Sequence, residues 1–250
     1  MTYKPLKSTY FRRRIYLMRH GDVSYFDKNN KPVDEPNNVQ LTELGCKQAQ
    51  DIGNLLSDIE IDKAICSGLI RTKQTAQLVL GDRRIPIEAE PCFMEIQPKG
   101  FDQIPIDRRE DELAYAFENA YLPSASYGAG ETFVEFATRV TSKFHEIARQ
   151  TDWSQLLIVA HDGVNRLLLS LIASNCRASA ESTLLSMGGY DQDTCCLNIL
   201  DIDVKDNEII LSRIKTLNYT PSNPLKTDNH FSSMEKVFHP YATSNVKFSP

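Results

Sequence analysis

Two short stretches carry residue types that can do chemistry together. Arg19-His20-Gly21-Asp22 follows an apolar run at residues 15–18, and His161-Asp162-Gly163 follows another at 156–160. Each run reads as a strand. The second is apolar throughout, as expected of a central parallel strand covered on both faces. In sheets of that kind ligands bind beyond the carboxyl ends of the strands, so both histidines are expected at one edge. The glycines let the backbone turn and approach a ligand closely. A further strand at 64–66 leads into Ser67-Gly68-Leu69-Ile70-Arg71. Arg71 then falls in the first turn of a helix, whose N-terminus also favours anions. Arg19, Arg71, His20 and His161 could thus converge on one phosphoryl group.

A neutral imidazole is a good nucleophile for phosphorus, and covalent transfer to His20 would split hydrolysis into two easier steps. Arginines would hold the non-bridging oxygens and offset charge in the transition state. A carboxylic acid must then protonate the leaving oxygen and later deprotonate water. Glu95, in Pro91-Cys92-Phe93-Met94-Glu95-Ile96, is the candidate; Glu88 and Glu90 lie nearer the strand at 85–89. Gly21 and Asp22 join Arg19 and Arg71 as expected substrate contacts.

The elements that must position these residues follow from periodicity. Residues 42–56 read as a helix capped by Thr42, with an apolar stripe of Leu44, Ala49, Ile52, Leu55 and Leu56. Residues 69–80 read as a second helix stopped by Gly81. The stretch 96–130 is irregular, rich in proline and glycine, with a helical patch at 110–121; it reads as an inserted lid region. Thr132 and Glu135 form a capping box opening a helix with the stripe Phe133, Phe136, Val140, Phe144 and Ile147. Helical pattern resumes at 164–172. Two β-like runs, 195–202 and 208–217, flank a reversal at 203–207. This alternation predicts an α/β fold with a mainly parallel central sheet. The organisation expected is an N-terminal extension at 1–13, one domain at 14–219 and a C-terminal tail at 220–250. The tail is expected to be draped over the surface or partly disordered, and Arg12–Arg14 to be solvated charges at the strand entrance.

Composition narrows the function classes. A net charge of -5 offers no basic face to nucleic acid. No apolar run approaches the roughly 20 residues of a membrane span, and no apolar segment of a secretory signal follows the basic start. The cytoplasm is the expected compartment. The six cysteines show neither a CxxC pair nor metal-ligand spacing and read as small, reduced, mostly buried side chains. No metal and no cofactor is called for. The edge formed by the last two β-like runs could pair with a second copy as a homodimer.

The ordered set of motifs resembles the histidine phosphatase superfamily, also called the phosphoglycerate mutase-like family. It is carried by RHG at 19–21, LTELGCKQA at 41–49, SGLIRTKQTA at 67–76, Phe93-Met94-Glu95-Ile96, GET at 130–132 and VAHDGVNRLLL at 159–169. The resemblance spans about residues 14–218 and implies a three-layer αβα sandwich. It implies a phosphohistidine on His20, phosphate contacts from Arg19, Arg71 and His161, and a proton donor at Glu95, without a metal. Departures are Asp22 for the usual glutamate and Phe26 for an asparagine common in the mutase-like branches. Gly100 stands one place later than the pattern has it, and Asp162 replaces the first glycine of the second histidine motif. The reading is a phosphoric monoester hydrolase of the histidine acid phosphatase type, acting on a small phosphorylated metabolite. A phosphoglycerate mutase-type isomerase is the alternative, and a non-catalytic phosphate-binding module a third.

Overall fold

The computed structural model describes residues 6–7, 10–26, 33–99, 104–105, 108, 110–227 and 230–236. Gly100 lies outside the described residues.

A six-stranded sheet organises the chain: β1 (Phe11–Arg19), β2 (Lys63–Cys66), β3 (Ile87–Ala89), β4 (Gln155–Ala160), β5 (Leu197–Lys205) and β6 (Glu208–Tyr219). Their order in space is β3-β2-β4-β1-β5-β6. The first four are mutually parallel, and β5 and β6 add as antiparallel strands. Successive side chains of a strand point to opposite faces. Ile15 and Leu17 of β1 therefore join Leu156, Ile158 and Ala160 of β4 in one core layer. Tyr16 and Met18 join Leu157 and Val159 in the other.

Helices α3 (Phe133–Arg149), α4 (Asp162–Ala173) and α5 (Ala180–Met187) cover the first face; α1 (Glu43–Leu55) and α2 (Ile70–Leu80) cover the second. The result is the three-layer αβα sandwich. The expected stripe of α3 is buried along its whole length, and Thr132 and Glu135 cap it reciprocally. On α1 the inward arc is Gly45, Ala49, Ile52 and Leu56. Leu44 and Leu55 fall outside it and are 57% and 50% exposed, contrary to the expected stripe. Helix α5 has no apolar periodicity strong enough to announce it in a run of Ser and Thr. It is stapled to α4 by Ser170 Oγ, which donates to Thr183 O at 2.6 Å.

The arginine run is paired and packed, with Arg13 buried and Arg12 and Arg14 half-buried, rather than simply solvated. Arg12 and Arg14 lie in β1 opposite Asp203 and Asp201 of β5. Each guanidinium grips its carboxylate at two points, 2.7 and 3.0 Å for Arg12 and 2.8 and 3.1 Å for Arg14. Such fork-to-fork pairs fix register as well as adding energy. Arg13 faces the other way, stacks 5.1 Å over Trp153 and donates to Ala148 O at 2.9 Å. Strand β1 consequently starts at Phe11, ahead of its apolar run.

The expected helical patch at 110–121 is only a π-helical turn, Glu110–Ala114, followed by turns. Leu113 of that turn is buried in the first core layer with Ile104, Phe117 and Tyr127. Part of the tail is packed against the domain. Residues 233–236 form a short helical turn, with Ser233 and Met234 buried. Asp206 and Asn207, both with positive φ, make the tight reversal between β5 and β6.

Candidate active site

Strands β1 and β4 run side by side in register, Arg19 opposite Ala160, and His20 N–H donates to Ala160 O at 3.1 Å. The next residue of each strand is a histidine. Their rings stand 5.3 Å apart, edge to face, and both are buried. Adjacent parallel strands that end at the same level leave no other place for these side chains.

His20 Nδ1 lies 2.8 Å from Gly21 O. A carbonyl only accepts, so Nδ1 carries the proton and Nε2 keeps its lone pair. Burial first, then Arg71 and Arg19, hold the ring well below the usual imidazole range, so it stays neutral. The loop that supplies the carbonyl is packed tightly. A Cβ on Gly21 would lie 2.6 Å from Gly45 O, so close approach rather than an unusual turn explains this glycine. Thr75 Oγ1 accepts the Gly21 N–H at 3.0 Å.

His161 is held differently. Thr72 Oγ1 donates to Leu69 O at 2.8 Å, so Ser67 Oγ, 3.0 Å away, donates to Thr72. Ser67 Oγ must then accept from His161 Nε2, 2.8 Å distant. The hydroxyl relay fixes the tautomer, with the proton on Nε2. Burial and Arg71 push this ring well below the usual range as well.

The guanidiniums of Arg19 and Arg71 are buried beside the rings. Arg19 Nη1 donates to Gln192 O at 2.6 Å, and Arg71 Nη1 to Pro36 O at 3.1 Å. Nε of each has no partner among the described residues. A buried N–H without an acceptor costs about 1–3 kcal/mol, which an anionic oxygen between the arginines would relieve.

Glu95 enters from the segment after β3. Its Oε2 accepts Gly163 N–H at 2.9 Å, and its Oε1 accepts Ile96 N–H at 3.0 Å. Burial, and next Asp162, push its pKa above the ordinary carboxylate value; the two N–H groups and Arg19 act in the opposite direction. An upward shift of this kind favours the protonated form that a general acid needs. Arg139 secures the segment by donating to Cys92 O, Met94 O and Glu95 O.

The expected residues thus gather at one sheet edge, with one difference of detail. Asp22 Oδ2 accepts the Thr42 hydroxyl at 2.6 Å, and Thr42 N–H donates to Asp22 O, so this carboxylate closes the start of α1. Arg108 pairs with Glu112. Sequence reasoning missed Ser67, Gln192, Asn165 and Ser233. Asn165, with its amide oxygen on Arg19 N–H at 3.0 Å, ties α4 to the end of β1. Its place in VAHDGVNRLLL was a usable signal, and Ser67 heads SGLIR; Gln192 and Ser233 sit in stretches without periodicity. Among the described residues no three His, Cys, Asp or Glu side chains stand together to hold a metal.

Two neutral histidines at adjacent strand ends, flanked by buried arginines with N–H groups to spare, define the class of α/β proteins that handle a phosphoryl group on histidine. The chain belongs to the histidine phosphatase superfamily, branch 1, whose profile matches residues 15–215. It is 28% identical over 197 residues to the adenosylcobalamin/alpha-ribazole phosphatase of Escherichia coli K12, covering 77% of this chain and 91% of that protein. It is 26% identical over 166 residues to the probable phosphoglycerate mutase GpmB of Proteus mirabilis, covering 64% and 74%. The alpha-ribazole phosphatase of Shigella flexneri superposes with a TM-score of 0.61 at 28% identity, over 82% of this chain and 96% of that one.

Proposed function

We propose that the chain is a phosphoric monoester hydrolase of the histidine acid phosphatase type, acting on a small phosphorylated metabolite. His20 Nε2 attacks phosphorus, and the P–O bond to the leaving group breaks. Glu95 gives its proton to the departing oxygen. Arg19, Arg71 and His161 hold the three non-bridging oxygens throughout. Glu95, now a carboxylate, takes a proton from water, whose oxygen attacks the phosphohistidine and releases phosphate with His20 neutral again. The observation that carries this reading is His20 itself: neutral, buried, with Nδ1 committed to Gly21 O, Nε2 left with its lone pair, and the charges of Arg71 and Arg19 acting on the ring.

The phosphatase reading is preferred to the mutase alternative. The phosphatase relative is matched over 91% of its length and the probable mutase over 74%. A mutase also needs a cation for the substrate carboxylate, and Arg108 is already paired with Glu112. A homodimer through the outer edge of β6, and residence in the cytoplasm, belong to the same proposal. No described helix is long and apolar enough to cross a membrane.

The test is phosphate release from a panel of phosphomonoesters including alpha-ribazole 5′-phosphate, with 3-phosphoglycerate isomerisation run alongside. Acid-labile, base-stable label on the protein, absent in His20→Ala, is expected with hydrolysis outrunning isomerisation. Full activity in His20→Ala would overturn the mechanism.

A further inference from the structure

Asp162 replaces a glycine of the motif, and the chain beyond the matched region brings it a partner. Ser233 lies past residue 215, where the family match ends, yet it is only 4% exposed. Its hydroxyl donates to Asp162 Oδ2, and its oxygen accepts from Arg166 Nη2 at 3.3 Å. Its backbone N–H donates to Asp191 Oδ1 at 2.9 Å. Arg166 Nε takes the other oxygen, Asp162 Oδ1, at 2.5 Å. The segment is anchored independently by Met234 in the first core layer and by Lys236, 2.9 Å from Asp193.

The consequence falls on Arg19. Its Nη1 stands 3.6 Å from Asp162 Oδ2, beyond hydrogen-bond reach. A buried guanidinium beside a buried carboxylate with open lone pairs would close into a two-point pair. That pair would take N–H groups away from any phosphoryl oxygen. Here each carboxylate oxygen already accepts one short hydrogen bond, and Arg19 Nε remains without a partner among the described residues.

We propose that Ser233 is a positioning residue: with Arg166 it engages both oxygens of Asp162, and so holds Arg19 at ion-pair distance, short of a two-point hydrogen-bonded pair, and available to phosphate. The proposal rests on the phosphatase reading of the site. It makes the C-terminal segment part of the catalytic layer and couples the aspartate at 162, which departs from the motif, to a serine at 233 past the end of the family match.

The test uses the full chain with p-nitrophenyl phosphate as substrate and inorganic phosphate as inhibitor. Loss of one hydrogen bond to a buried charge predicts that Ser233→Ala lowers kcat/KM about tenfold and raises the phosphate inhibition constant by about the same factor. Its melting temperature checks folding, and Ser233→Thr, which keeps the hydroxyl, restores both constants. In an Asp162→Asn background, where no carboxylate attracts Arg19, Ser233→Ala has little further effect. A purely structural role would not give that dependence. Unchanged constants in folded Ser233→Ala, or an equal effect in both backgrounds, would overturn the role of Ser233 alone. A wild-type protein that neither hydrolyses the ester nor binds phosphate would overturn the functional reading beneath it.

Discussion

Gly163 and Glu95 are in such close contact that no side chain fits between them. The Gly163 N–H donates to one carboxyl oxygen at 2.9 Å, and a Cβ on Gly163 would lie 2.6 Å from the other and 2.8 Å from the Phe117 ring. The helix that begins with His161 as its cap therefore also aims the acid. Gly163→Ala should displace the Glu95 carboxyl and lower kcat by about 10²-fold, the usual worth of a positioned acid. Phosphate affinity should change little. Steady-state kinetics with product inhibition separates the two effects.

Removing the acid itself should depend on the leaving group. Glu95→Gln keeps one acceptor oxygen, for either the Gly163 or the Ile96 N–H, and cannot transfer a proton. Alkyl phosphates, whose alkoxides leave poorly, should lose about 10²–10⁴-fold in kcat, and p-nitrophenyl phosphate far less. Equal losses on both would show that Glu95 only shapes the pocket.

Acid should destabilise the fold through the two rings. His20 and His161 are held well below their ordinary value of 6.5, so the unfolded chain binds more protons than the folded one below that pH. Their contribution is present above about pH 6.5 and is lost as pH falls below it. Glu95 is raised above 4.5 and works in the other sense, its contribution fading as pH rises through the raised value. The unfolding free energy should fall between about pH 6.5 and 5, and His20→Gln should flatten the slope by about 1.4 kcal/mol per pH unit. Urea titrations at a series of pH values measure this.

Phosphate binding should take up a proton at mildly alkaline pH. His161 Nε2–H is committed to Ser67, and Nδ1 of the neutral ring has only a lone pair to offer. A dianion contacting that nitrogen requires a proton between them. Calorimetry of inorganic phosphate binding in two buffers of different ionisation enthalpy should reveal uptake of about one proton, absent in His161→Gln. Ser67→Ala releases the ring from its tautomer and should weaken binding several-fold without unfolding the protein.

The parts of the molecule legible in the sequence are those fixed by local pattern. Apolar runs ending abruptly at Arg19-His20 and His161 marked the two strand ends, and the Thr132–Glu135 box with its five-residue stripe marked α3. What stayed hidden depended on partners far along the chain. Nothing near Arg12 and Arg14 announces Asp203 and Asp201, and they read as solvated until β5 is laid beside β1. Leu44 and Leu55 fit a stripe on paper but miss the arc that the sheet covers. The four missed site residues are polar, and only the assembled core shows that they are buried and paired.

The strand order bears on how the chain must be made. Strand β1, the first to leave the ribosome, pairs with neither β2 nor β3 but lies between β4 and β5, Arg14 meeting Gln155 on one side and Asp201 on the other. Its hydrogen-bonding edges stay open until most of the chain exists, a high-contact-order arrangement that slows folding. An apolar strand left waiting with two open edges is also prone to pair with the wrong partner. Any fragment ending before β4 leaves His20 on such a strand, without the neighbour that brings it His161.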